Sequence, residues 1–418
     1  MKTLLPGAAM PINSTESADM SHTLNPRANH VPVLLAFAFR PFFLLTALYA
    51  ASLVAAWIAF LFGGLPLPLG VNPIQWHAHE LLFGMVPAAI AGFLLTAMCN
   101  WTGASPLKGN GLLALILLWT AGRAAMWLSG WLPLWLVATI DLAFLPAMAA
   151  YVARVLLRHG NYRNLVLVAL LGLLAGANLS MHLGFSGLWP SGGRLGEILA
   201  LDLIAVIMVV VGGRITPAFT ANWLGMRGKD PALVRRSEAL DRAAFWSTVA
   251  MVPVDLVMSF PVPASLIALF AALVNGWRLL AWRGWKASAE PLIWILHLAL
   301  AWIVVALLLK AMTPWLALSP SVWMHAMGAG AGGTLILGVM TRVAMGHTGR
   351  SMRLPHMAIW IYVAIIAAGL VRVIAAFVPQ LVYPALTVSA AAWVVAFLLF
   401  VLIYGPILSR PRADGRPG

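Results

Sequence analysis

Apolar residues run through this chain in long blocks, each closed by proline, glycine or charge and each near the length that crosses a bilayer. A spanning helix needs about 20 apolar residues, and reading for such runs predicts about twelve of them. They fall at roughly 41–62, 77–100, 110–129, 131–157, 162–185, 196–220, 242–260, 263–283, 291–311, 321–345, 355–377 and 382–408. The Leu-rich stretch 110–157 can be divided in more than one way. Residues 37–408 therefore read as one transmembrane domain, all-α. Residues 1–36 are polar and lack the basic, apolar and cleavage regions of a signal peptide, so they are expected to form a flexible N-terminal tail. Residues 409–418 are expected to form a C-terminal tail.

Composition agrees. Hydrophobic residues make up 62% and charged residues 9% of the 418, far below the share in soluble domains, so the chain is expected to sit in a lipid bilayer with multiple passes. The formal charge of +14 is spread over short segments between apolar runs, which excludes a nucleic-acid patch. Alternate connections carry it: Lys108; Arg154, Arg158 and Arg163; Arg227, Lys229, Arg235, Arg236 and Arg242; Arg278, Arg283 and Lys286; Arg350 and Arg353; and Arg410, Arg412 and Arg416. The opposite connections hold little beyond Arg194 and Lys310. The positive-inside rule then predicts that both termini are cytoplasmic. A single cysteine, Cys99, excludes an internal disulfide and a cysteine-rich metal site.

A repeat emerges once the predicted helices are numbered. Helix 2 reads His79-x4-Gly84-x7-Gly92-x3-Thr96, and helix 10 reads His325-x4-Gly330-x7-Gly338-x2-Thr341-Arg342. Helix 6 ends Gly213-Arg214-Ile215-Thr216 and has no histidine at its start. Gly92, Gly213 and Gly338 are nearly evenly spaced, as expected of three four-helix repeats closing into a pseudo-threefold bundle; chance likeness of Gly-rich helix ends is the competing account.

With that topology His77, His79, His182 and His325 share one layer near the outer surface. His297 falls nearer the cytoplasmic side, His159, His347 and His356 in cytoplasmic loops, and His22 and His30 in the tail. Ionisable groups inside a membrane are expensive and mark function by default. Two histidines from facing helices suit a bis-imidazole haem, and neutral imidazole also suits copper. His79 and His325 are the expected haem ligands, and His77, His79, His182 and His325 the candidate metal ligands. On a helix His77 and His79 point about 200° apart, so either one of them faces a second site or His77 precedes the helix. Arg123 and Arg372 occupy equivalent places, with Asp255 in the corresponding position, and are expected to hold haem propionates. Buried pairs, Arg123 with Asp141 or Arg372 with Asp202, are the alternative. At the cytoplasmic helix ends, Asn100-Trp101, a helix 6 broken at Pro217 and Met340-Thr341-Arg342 suggest either a path for protons or small molecules or simple caps and anchors. No catalytic motif stands out.

Phe39-Arg40-Pro41-Phe42-Phe43, Trp76-His77-Ala78-His79-Glu80, Gly92-Phe93-Leu94-Leu95-Thr96 through Asn100-Trp101-Thr102-Gly103 and Gly122-Arg123-Ala124-Ala125 resemble the NnrS family. So do Gly213-Arg214-Ile215-Thr216-Pro217-Ala218-Phe219-Thr220 and Met340-Thr341-Arg342-Val343-Ala344-Met345-Gly346-His347-Thr348-Gly349-Arg350. The resemblance covers about residues 37–405. It implies a bacterial cytoplasmic (inner) membrane protein of twelve helices that binds haem b and copper and takes part in nitric oxide metabolism, denitrification and nitrosative-stress protection, with no settled reaction. The layout is also similar to the catalytic subunit of haem–copper oxidases, with the difference that helices 6 and 7 carry no histidine.

Two functions fit these features. One is redox chemistry or nitric oxide handling at a haem near the outer face, with nitric oxide as ligand and an electron donor of unknown kind. The other is transport of a metal, haem or small anion through the bundle, although the inverted repeats common in transporters are not visible. An assembly role would leave the histidines unexplained.

Overall fold

A computed structural model describes residues 31–257 and 261–416. Most of the predicted N-terminal tail, residues 1–30, lies outside the described residues, as do residues 258–260 at the end of the seventh predicted run. Among the described residues there are helices and no strand.

The helices match the predicted runs closely. They are α1 (Phe39–Gly63), α2 (Pro73–Thr102), α3 (Asn110–Trp127), α4 (Leu134–Arg158), α5 (Tyr162–Phe185), α6 (Gly192–Met226), α7 in two pieces (Glu238–Val249 and Met251–Val257), α8 (Pro261–Ala281), α9 (Pro291–Met312), α10 (Ser321–His347), α11 (His356–Phe377) and α12 (Val382–Ser409). Ten of these, all but α3 and α7, are long and apolar enough to cross a membrane. The chain is therefore a multi-pass helical membrane protein. α3 carries Arg123 among its 18 residues, and α7 is interrupted at Ala250.

One expectation fails. α6 is not broken at Pro217 but runs unbroken through it for 35 residues. Proline removes one backbone donor, yet membrane helices tolerate it where neighbours satisfy the freed groups. Pro217 frees the Gly213 carbonyl; Arg278 of α8 packs against Gly213 and donates to the carbonyl of Val209, a turn earlier again, at 3.3 Å. A β-carbon at Gly213 would overlap the Arg278 guanidinium, so a larger residue there would have to displace Arg278.

The three helices that the repeat singled out form the centre. α2, α6 and α10 bury 78%, 78% and 72% of their apolar windows, more than any other span. They touch one another pairwise and enclose an apolar cavity of about 100 Å³, lined by Ile90, Phe93, Ile207, Val211, Leu335 and Val339 among others.

α2 and α10 share a further irregularity. Asn72 opens α2, its carboxamide oxygen accepting from the Ile74 and Gln75 amides, with Pro73 in the first turn where a missing donor costs nothing. Directly after His79 the helix widens into a π-helical stretch, Glu80–Met85. Directly after His325, α10 does the same over Ala326–Gly332. Such insertions free backbone groups and re-aim side chains, and they concentrate at functional sites. The Trp119 indole donates to the carbonyl of Gly84, inside the first of these stretches, at 2.9 Å.

Candidate functional site

His79 is fully buried where α2, α3, α4 and α5 meet. Its Nδ1 lies 2.9 Å from Glu80 Oε1, and its Nε2 lies 2.8 Å from Asn178 Oδ1 and 3.2 Å from Asp141 Oδ2. His182 reaches the same carboxylate oxygen from α5, with Nε2 at 2.9 Å. The two imidazoles meet edge to face with centroids 5.2 Å apart. Asn178 donates to Asp141 at 2.9 Å. Arg123 bridges both carboxylates, donating to Glu80 and to Asp141. Tyr49 donates to Glu80 and in turn accepts from the Trp127 indole at 2.9 Å.

Glycine makes this packing possible. A β-carbon on Gly84, in the π-helical stretch, would lie 2.7 Å from the Arg123 guanidinium and 2.9 Å from the Tyr49 ring. Buried charges must be paired and hydrogen-bonded to be tolerable in a low-dielectric interior. In this cluster Glu80 and Asp141 are matched by Arg123 and the imidazoles.

The donor set fits a small metal ion. One ligand atom each from His79, Asp141 and His182 lie within 4.8 Å of one another, all three residues buried. Two imidazoles with a carboxylate are a borderline donor set suited to copper or zinc. Glu80 on Nδ1 is the outer carboxylate that ordinarily orients a ligating histidine and leaves Nε2 for the metal. An ion here would take the place of the Nε2 proton that His79 now offers to Asn178 and Asp141.

His77 belongs elsewhere. Its ring stacks on Trp57 of α1, centroids 4.6 Å apart and 14° from parallel. Its Nδ1 is buried without a hydrogen-bond partner among the described residues. The charged and titratable groups within its electrostatic reach are His325 and Arg372. His325 Nδ1 donates to the Ser321 carbonyl at 2.7 Å, which leaves Nε2 as the lone-pair nitrogen. Arg372 donates to Ser321 Oγ at 3.2 Å. Imidazole and guanidinium are the kinds of group that would hold a haem iron and its carboxylates.

Of the predicted site residues, then, His79, His182 and Arg123 come together, and His77, His325 and Arg372 make a second group. The rings that meet His79 are those of Phe83, His182 and Phe185, not that of His325. The alternative Arg123–Asp141 pair exists. Asp202, however, pairs with Lys310 and not with Arg372. Lys310, read from sequence as a loop charge, lies inside α9 and is 8% exposed. Sequence reasoning assigns no role to Glu80, Asn178 or Tyr49. The first two are visible there only as polar neighbours of histidines in apolar helices, and Tyr49 carries no signal. His297 is absorbed structurally by Thr220, at 2.9 Å.

Fold and site together define a multi-pass helical membrane protein whose buried imidazole–carboxylate chemistry clusters where its central helices begin. The family model described as NnrS protein matches residues 33–412, and the chain belongs to the NnrS family. A comparison with curated proteins finds no match.

Proposed function

We propose that this is a metal- and haem-binding protein of the nitric oxide response, with copper at His79, Asp141 and His182 and haem b between His77 and His325, its propionates on Arg372. Family membership supports the nitric oxide response, and the buried His79–Asp141–His182 cluster is the observation that carries the metal. This divides the histidines differently from a His79–His325 haem, because the imidazole that meets His79 is that of His182 and not that of His325.

Bound there, haem and copper would supply redox chemistry and a place for nitric oxide to bind. The chain's own residues do the rest. Glu80 and Asn178 orient His79, Arg123 offsets the carboxylate charge, and the apolar packing excludes water. The cavity between α2, α6 and α10 suits a small apolar gas arriving from the bilayer. Its lining gives a metal ion or anion no polar ligand, which favours gas handling over transport.

The reading extends to a twelve-helix bundle of three four-helix repeats in a bacterial inner membrane, with both termini cytoplasmic, the histidine clusters at the outer end and a separate electron donor. The π-helical stretches after His79 and His325 support the repeat. The test is the visible spectrum and metal content of the purified protein from haem- and copper-replete cells. His77→Ala and His325→Ala should abolish the haem bands and keep copper; His79→Ala and His182→Ala should do the reverse. A Soret band that survives in the His77→Ala, His325→Ala double variant sinks the haem assignment.

A further inference from the structure

α6 has no histidine at its start, but a buried ionic cluster joins it to α7 and α9. Lys310 Nζ on α9 lies 2.7 Å from Asp202 Oδ1 on α6 and also pairs with Asp255 on α7. The ammonium sits 4.4 Å from the centre of the Trp323 ring on α10. Asp202 is 1% exposed, and its Oδ2 is buried with no hydrogen-bond partner among the described residues.

Charge does not balance here. Two carboxylates face one ammonium, whereas around His79 two carboxylates share Arg123 and an imidazole. Among the described residues, other elements do not make up the difference. α8 offers Ser265, which donates to the Ala311 carbonyl and accepts from the Trp315 indole. α10 offers Trp323 and Met324. The remaining cation near the cluster, Arg194 on α6, is exposed and acts electrostatically on Glu197. A net buried negative charge within a membrane is costly, and it is relieved most cheaply by a proton.

Water can reach Asp255 and Lys310, though not Asp202 directly. A cavity of about 210 Å³ is lined by Asp255, Lys310, Thr313 and Arg194, and extends to the exposed prolines Pro261 and Pro320 at the helix ends. At about 30 Å³ per water it has room for several.

We propose that Asp202, Asp255 and Lys310 form a proton-binding site that holds one exchangeable proton on Asp202 Oδ2, relayed from water in this cavity by Asp255 and Lys310, which line it. The O–H bond forms on the carboxylate as a hydronium ion or water gives up its proton, and no electron moves. Lys310 holds both carboxylates in place and sets how readily the proton leaves. A proton needs only the orphaned oxygen, whereas a metal cation would need several more ligands and would compete with the ammonium. The site is independent of haem or copper.

Infrared difference spectra of the full chain in detergent, recorded between acid and neutral pH in potassium buffer, test this. The wild type should show a carboxylic C=O band that titrates and shifts to lower frequency in D2O. The band should be lost in Asp202→Asn. In Lys310→Gln it should grow at fixed pH, its midpoint rising by about 1–3 pH units as the opposite charge is removed. Should Asp202→Asn fail to fold, Asp202→Glu, which keeps the carboxyl and moves it, should shift the frequency of the same band; an unmoved band there also counts against the proposal. No exchangeable carboxylic band, an unchanged band in Asp202→Asn, or a band abolished by sodium at constant pH would each overturn the proposal, the last in favour of a cation site.

Discussion

His77 and His79 stand two positions apart on α2 and serve different clusters: His79 joins Asp141 and His182, while His77 stacks on Trp57 beside His325 and Arg372. The helix geometry forces the separation, and the π-helical stretch that starts at Glu80 re-aims the side chains of the next turn. In the proposed assignment, one helix start would hold two kinds of group without their ligands competing.

The carboxylate behind His79 should tune metal affinity. In Glu80→Gln the charge that orients Nδ1 is gone, and copper affinity should fall about 10–100-fold. Competition against a chelator measures it. Haem content should not change, since Glu80 has no part in the His77 group; unchanged copper affinity would contradict the role given to Glu80.

Removing Arg123 should damage the fold more than removing any surface cation. Arg123→Leu leaves Glu80 and Asp141 buried without their shared cation, at a cost of about 3–5 kcal/mol. Thermal unfolding in detergent reports it. Neutralising the partners too, in an Arg123→Leu, Glu80→Gln, Asp141→Asn variant, should recover much of the loss.

Gly84 and Gly330 hold matching places and should be intolerant for different reasons. A methyl on Gly84 strikes Arg123 and Tyr49, and on Gly330 it strikes the Trp302 ring at 2.6 Å. Each alanine variant should lose about 1–3 kcal/mol by overpacking. Only Gly84→Ala should also weaken copper binding, by displacing Arg123.

Beyond α12 the chain is held by charge. Arg412 donates to the His347 carbonyl and pairs with Asp414, and its guanidinium holds the Asp414 carboxyl down at about 2, below the ordinary 3.8. Because the folded value is depressed, the pairing is fully present above pH 3.8 and is lost as pH falls towards 2. Carbon NMR of the labelled Asp414 carboxyl should show that low midpoint, returning to the ordinary value in Arg412→Ala.

Much is legible in the sequence because a bilayer leaves few options. Without water to satisfy the backbone, apolar runs of sufficient length must be helices, and hydrophobicity marks them. Histidine in such a run is a signal on its own, and the spacing from His79 to Gly92 matches that from His325 to Gly338. Asp202, Asp255 and Lys310 are harder to read because they lie on three helices far apart in the chain. Charge near a helix end looks alike whether it faces water or a buried partner, which is why Lys310 reads as a loop residue.

By itself, the sequence determined the class of protein, its helical segments, its family and which side chains could do chemistry, since all of these depend on residue identity and local period. Tertiary structure decided the grouping. Side-chain direction at the helix starts, the π-helical stretches and the packing of neighbouring helices placed His79 with Asp141 and His182, and His77 near His325. They also left α6, α7 and α9 sharing two carboxylates and one ammonium, a deficit that appears only when distant helices meet.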